Sequence, residues 1–111
     1  MNQIYKKDEY IIIQVFKGKQ REFIVINQNK KDRLGFEKAH THIKSYKMCK
    51  YLINLVRKGK INQGLSVYLL GSLVRLSEDT VYQDKVNKLI KTKKDKRKKN
   101  VGYRNQPANL M

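Results

Sequence analysis

The sequence predicts an α+β chain: an N-terminal antiparallel β-hairpin with a candidate third strand, three packed helices, and a basic flexible C-terminal tail. Three observations predict it. Two β-branched, aromatic runs of strand length stand close together near the start. Apolar residues then recur at helical spacing, bounded by serine and glycine punctuation. Past residue 90 the apolar pattern gives way to Lys and Arg.

The first run covers residues 10–16 (YIIIQVF) and the second residues 22–27 (EFIVIN). The polar, glycine-containing stretch between them, residues 17–20, suits a hairpin loop. Residues 27–37 read as loop, with Gly35 a turn, and residues 36–43 (FEKAHTHI) alternate loosely enough for a short third strand. Ser45 caps a helix reaching Arg57, and Gly59 stands where a helix commonly ends. On that helix Cys49, Leu52, Ile53 and Val56 form one stripe. Ser66 opens a second helix, residues 67–76, apolar on most sides and therefore central; its Gly71 costs roughly 1 kcal/mol relative to Ala, which a close helix contact would explain. The string Ser77-Glu78-Asp79-Thr80 reads as a capping serine followed by two acids that complement a helix start. The third helix carries Tyr82, Val86, Leu89 and Ile90 on one face. Residues 1–90 form one domain and residues 91–111 a tail whose charge run is either a solvated helical extension or disordered.

Charge carries the functional signal. The 111 residues hold 26 Lys and Arg against 9 Asp and Glu, a net charge of +17. Residues 30–60 account for +8 of this and residues 91–111 for +7. Such an excess is the electrostatic footprint of a protein that meets a polyanion, nucleic acid first among them. An anionic membrane surface is the other, but no apolar run approaches the roughly 20 residues of a span, and the first residues lack a signal-peptide core. One cysteine rules out an internal disulfide and fits a reducing, cytoplasmic setting. The abundance of Lys, Ile, Asn and Tyr fits an AT-rich genome, such as that of a low-GC bacterium, its phages or its mobile elements.

Two segments are candidate nucleic-acid contacts. Lys30, Lys31, Arg33, Lys38, Lys44, Lys47, Lys50, Arg57, Lys58 and Lys60 surround the first helix and the loop before it. In the tail, Lys91, Lys93, Lys94, Lys96, Arg97, Lys98 and Lys99 place seven positive charges within nine residues, and Arg104 follows Tyr103, which can stack on a base. Lysine outnumbers arginine, which favours backbone over base-edge contact.

Other constellations are weaker. Leu70, Gly71, Val74, Leu76, Ser77 and Val81 fall into the register of a helix-turn-helix, and the string from Leu76 to Tyr82 resembles the turn and recognition helix of excisionase-type proteins. That resemblance covers about a dozen residues and implies recognition of duplex DNA by the helix that follows the turn, although Glu78, Asp79 and Asp84 would bring negative charge towards the DNA. It departs at Arg75, where the turn glycine is usual, and at Asp84, where a buried aliphatic is expected. His40 and His42 would share one side of a strand, as an acid/base pair needs; with Lys44 and Tyr46 they would make a metal-independent ribonuclease set. With Cys49 they match no recognised zinc spacing. No phosphate-cradling loop, paired carboxylates or activated nucleophile is evident. The expectation is therefore a non-enzymatic binder of RNA or DNA backbone, without cofactor or metal. The rival is a phage or mobile-element inhibitor that docks on a host nucleoprotein such as an RNA-guided nuclease (anti-CRISPR-like), and the third reading is a His-dependent ribonuclease toxin.

Overall fold

A computed structural model describes residues 2–30 and 42–105, with side chains described as far as Lys96. Four strands form one antiparallel sheet in sequential order: β1 (Asn2–Lys7), β2 (Tyr10–Lys17), β3 (Gln20–Asn27) and β4 (His42–Ile43). Three helices follow: α1 (Tyr46–Lys58), α2 (Val67–Leu76) and α3 (Thr80–Asn105).

The β2–β3 hairpin is the rigid centre of the sheet, paired without interruption from Tyr10↔Asn27 to Lys17↔Gln20. Its turn needs one residue at positive φ, and Gly18 supplies it at 64°. Period-two alternation gives the sheet two apolar faces. Tyr10, Ile12, Phe23, Val25 and Ile43 point to the helices, where they join Leu52, Ile53, Leu70, Leu73, Leu76 and Val86 in the main core. Ile11, Ile13, Ile24 and Ile26 cluster on the opposite face with Val15 beside them.

The first strand carries no clear signal in the sequence. β1 pairs with β2 through a turn in which Asp8, not glycine, takes the left-handed conformation at φ 55°. Of the expected third strand, residues 36–43, the described portion is His42–Ile43, pairing with Ile24 and Phe23; the remainder, and the expected turn at Gly35, lie outside the described residues.

The helices follow the expected punctuation. Ser45 Oγ accepts from the Met48 N–H at 3.1 Å, and Gly59 at φ 66° closes α1. Cys49, Leu52, Ile53 and Leu55 are buried, each fully buried aliphatic contributing about 1.5–3 kcal/mol. α2 packs against α1, α3 and β3, the central position expected of it. Two details differ. An added Cβ at Gly71 would meet, among the described residues, only the Arg75 guanidinium at 3.6 Å, so no helix backbone presses on it. The cap of α3 is Asp79, whose Oδ1 accepts from Val81 and Tyr82 N–H groups. Ser77 instead ends α2, its Oγ accepting from the Asp79 N–H at 3.0 Å.

α3 continues through Asn105. The boundary expected after Ile90 marks where apolar patterning stops, not where the helix does, and the helical extension is the alternative that the structure carries. No helix among the described residues is long and apolar enough to cross a membrane.

Candidate nucleic-acid interface

Burial of one stripe of α1 decides where its charges go. With Cys49, Leu52, Ile53 and Leu55 turned inward, Lys47, Lys50, Asn54 and Lys58 are exposed, and Lys44 is exposed just before the helix. No Asp or Glu occurs between Glu37 and Glu78, so nothing local in sequence offsets these lysines. Lys47 lies in the first turn of α1, which holds no acid. A cation there opposes the helix dipole, whereas an anion brought to it is favoured.

Aromatic rings hold part of this face in place. Lys50 Nζ stands 5.2 Å from the Tyr5 ring centre and 5.5 Å from that of Tyr46. Tyr5 meets Tyr46 edge-on at 6.3 Å, and Phe23 meets Tyr46 at 5.7 Å. The Arg21 guanidinium lies 5.4 Å from the Phe23 ring centre. Such cation–ring pairs are worth about 0.5–1 kcal/mol at exposed sites. Arg21 falls outside the expected set because it lies in neither charge-rich segment.

Other expected residues are committed to the fold. Lys30 Nζ donates to the Ser77 carbonyl at 2.9 Å and the Val74 carbonyl at 3.4 Å, satisfying the end of α2. Burial lowers its pKa, partly opposed by Glu78. Arg57 Nε donates to Asp8 Oδ2 at 2.9 Å. Lys93 Nζ donates to the Leu65 carbonyl at 2.6 Å. Lys91, Lys94 and Lys96 are exposed on α3. Lys31, Arg33 and Lys38 lie outside the described residues, as do the side chains of Arg97, Lys98, Lys99 and Arg104. The structure therefore brings Lys47, Lys50 and Lys58 to one helix, with Lys44 just before it, and Lys91, Lys94 and Lys96 to another.

The helix-turn-helix register does not hold. Val81, which that motif buries, is 62% exposed, while Tyr82 is buried. Gln83, a would-be base-reading residue, donates to the Ser77 carbonyl at 2.6 Å and the Val74 carbonyl at 3.3 Å. Glu78 accepts from Asn29 and Asn27, bonds that lower its pKa and keep a negative charge at the corner.

His42 Nδ1 lies 2.8 Å from Glu22 Oε1, across the β3–β4 pair. The Tyr68 hydroxyl accepts from the His42 N–H at 3.1 Å and donates to its carbonyl at 3.0 Å, tying β4 to α2. His40 lies outside the described residues. Cys49 is fully buried, its thiol pushed up to about 12 by desolvation, so it is not a thiolate near neutral pH. Among the described residues no group of His, Cys, Asp or Glu is arranged to hold a metal ion.

Comparison with protein-family models, with curated proteins and with solved structures finds no match for this chain.

Proposed function

We propose that the chain binds nucleic acid by its sugar-phosphate backbone and does so without catalysis. One observation carries this reading. The solvent side of α1 presents Lys47, Lys50 and Lys58 with Lys44 beside them, in a stretch of chain that contains no acid. Lysine offers a strongly hydrated point charge with little directional demand, which suits phosphate more than base edges. The exposed Lys91, Lys94 and Lys96 of α3 add further charge.

The test is anisotropy with labelled RNA and DNA across a salt series. Reversing Lys44, Lys47 and Lys50 to Glu should weaken binding at least tenfold for every sequence and reduce the salt slope by roughly 0.9 for each duplex phosphate no longer neutralised. Thr80→Ala and Val81→Ala, on the exposed start of α3, should change neither. Unchanged affinity on charge reversal would remove the α1 face from the function. If the unaltered chain binds no free RNA or DNA, the reading fails, and capture of a host nucleoprotein by this chain becomes the experiment to perform.

A further inference from the structure

Phe16 is 64% exposed, the most exposed large apolar side chain among the described residues. It belongs to neither core cluster, and among the described residues its ring meets no other ring and no cation. Strand register fixes its side of the sheet. Phe16 pairs with Arg21 and Gln14 with Phe23, and directly opposed residues share a face. All four side chains therefore stand on the face that carries the helices, where Phe23 joins the main core. Two residues of strand, about 7 Å, separate Phe16 from the level of Phe23. At that level Ile43 pairs with Phe23, and Tyr46, the first residue of α1, packs on it. Phe16 and Arg21 thus form a shelf just beyond the start of α1.

We infer that Phe16, flanked by Arg21, is a stacking platform for one unpaired base of a single-stranded nucleic acid whose phosphates lie along the α1 lysines. Bases stack on aromatic rings and on guanidinium planes whatever their identity. In a duplex each base already has neighbours on both faces, so the platform selects an unpaired strand. The shelf is continuous with the α1 lysines. The Arg21 guanidinium lies 5.4 Å from the Phe23 ring centre and reaches Gln14 Oε1 at 3.5 Å. Phe23 meets Tyr46 at 5.7 Å, and Lys50 Nζ stands 5.5 Å from the Tyr46 ring centre. Cation and ring contacts therefore run unbroken from Arg21 to Lys50. Lys17 and Lys19 are exposed at the hairpin turn, and no Asp or Glu occurs between Glu9 and Glu22, so phosphates on either side of the stacked base meet cations. A bilayer is the weaker partner. Membrane binding scales with buried apolar area, and Val15, the apolar neighbour of Phe16, faces the other side of the sheet.

This inference rests on the nucleic-acid reading, and the ligands are chosen to part the two. Single strands, the same strands without bases, a duplex of equal length and anionic vesicles are titrated against the unaltered chain, Phe16→Leu, Phe16→Trp and the Lys47→Glu/Lys50→Glu double variant. Because Phe16 lies outside both cores, its variants should keep the urea midpoint of the unaltered chain. Phe16→Leu should bind single strands about tenfold less tightly, near the low end of what one stacked base contributes, and bind the duplex and the baseless strand unchanged. Phe16→Trp supplies the only tryptophan of the chain. It should hold single strands at least as tightly as the unaltered chain, with fluorescence quenched by strands that carry bases and not by baseless ones. The double lysine variant should lose affinity for all three nucleic acids. Phe16→Leu matching the unaltered chain on single strands, or losing as much on baseless ones, overturns the platform and spares the α1 face. So does tryptophan fluorescence that a saturating single strand leaves unchanged. A blue shift on vesicles with no response to single strands assigns the ring to a membrane surface and overturns the platform as well. Unchanged binding by the double lysine variant removes the α1 face, and with it the path proposed for the strand. If the unaltered chain binds none of the three nucleic acids, both readings fall together.

Discussion

The Asn27 side-chain amide donates to the Leu76 carbonyl oxygen at 2.8 Å, joining the last residue of β3 to the last residue of α2. The same Nδ2 donates to Glu78 Oε1 at 3.0 Å, and Asn29 Nδ2 reaches that oxygen at 3.1 Å. One buried amide thus satisfies a helix-end carbonyl that has no partner within its own helix, and it orders the turn into α3.

Removing that amide should cost more than an average hydrogen bond. Asn27→Ala leaves the Leu76 carbonyl unpaired in a buried setting, a loss of about 1–3 kcal/mol. It should also change the response to acid. The pKa of Glu78 is lowered, first by the bond from Asn29 and next by that from Asn27. A carboxylate depressed in the fold stabilises it above the unfolded-state pKa, and that stability is lost as pH falls through the folded value. Urea midpoints from pH 7 to pH 3 should therefore drop less steeply in Asn27→Ala than in the unaltered chain.

The alkaline limb should be set by two tyrosines. Burial pushes Tyr10 up to about 12, with Glu9 adding to the effect, and pushes Tyr82 up to about 12, with Tyr10 adding. The unfolded chain loses these protons near pH 10. Between pH 10 and 12 the folded chain retains protons that the unfolded chain has released. Stability is thus intact below pH 10 and falls as pH rises through that window. Tyr82→Phe should flatten the fall in urea midpoint, while lowering stability at pH 7 by about 1 kcal/mol through loss of the 2.8 Å bond from its hydroxyl to the Lys60 carbonyl.

Local grammar makes the helices legible and long-range pairing does not. Ser45, Gly59 and Ser66 mark boundaries with their own side chains or dihedrals, so α1 and α2 can be bounded from sequence. β1 is a polar edge strand with only Tyr5 half-buried, and Asp8 stands where a hairpin glycine would have announced the turn. Asp79 displaces Ser77 as the α3 cap because Ser77 is needed at the end of α2. The lysines of the interface can be named from composition, but not which of them the fold itself uses. Lys30 reaches Ser77 across 47 residues, and His42 meets Glu22 only because β4 folds back onto β3.

Two adjacent positions in α2 should accept alanine with a gain. The Ser72 hydroxyl is buried and has no hydrogen-bond partner among the described residues, so Ser72→Ala removes a desolvated polar group and should add about 1 kcal/mol. Gly71→Ala should add about 0.5–1 kcal/mol by lowering unfolded-state entropy, since the nearest described atom is the end of the Arg75 side chain. Thermal unfolding measures both. A drop in midpoint at Gly71→Ala would restore the close helix contact that a mid-helix glycine suggests.

Truncation should separate what α3 contributes to folding from what it contributes to binding. Residues 97–111 hold four basic residues, Arg97, Lys98, Lys99 and Arg104, beyond the last described hydrogen bond to the core. Ending the chain at Lys96 should leave the urea midpoint unchanged and reduce the salt slope of nucleic-acid binding, by roughly 0.9 for each duplex phosphate those residues neutralise. Ending it at Ile90 also removes Lys93, whose ammonium satisfies the Leu65 carbonyl at 2.6 Å beside the start of α2. That carbonyl then turns to water, and the fold should weaken by about 1 kcal/mol, because Leu89 and Ile90, which pack against the core, are retained. Loss of cooperative unfolding in the longer of the two truncated chains would mean that residues past 96 pack in the folded state. An unchanged salt slope in that chain would confine binding to α1 and to the part of α3 ending at Lys96.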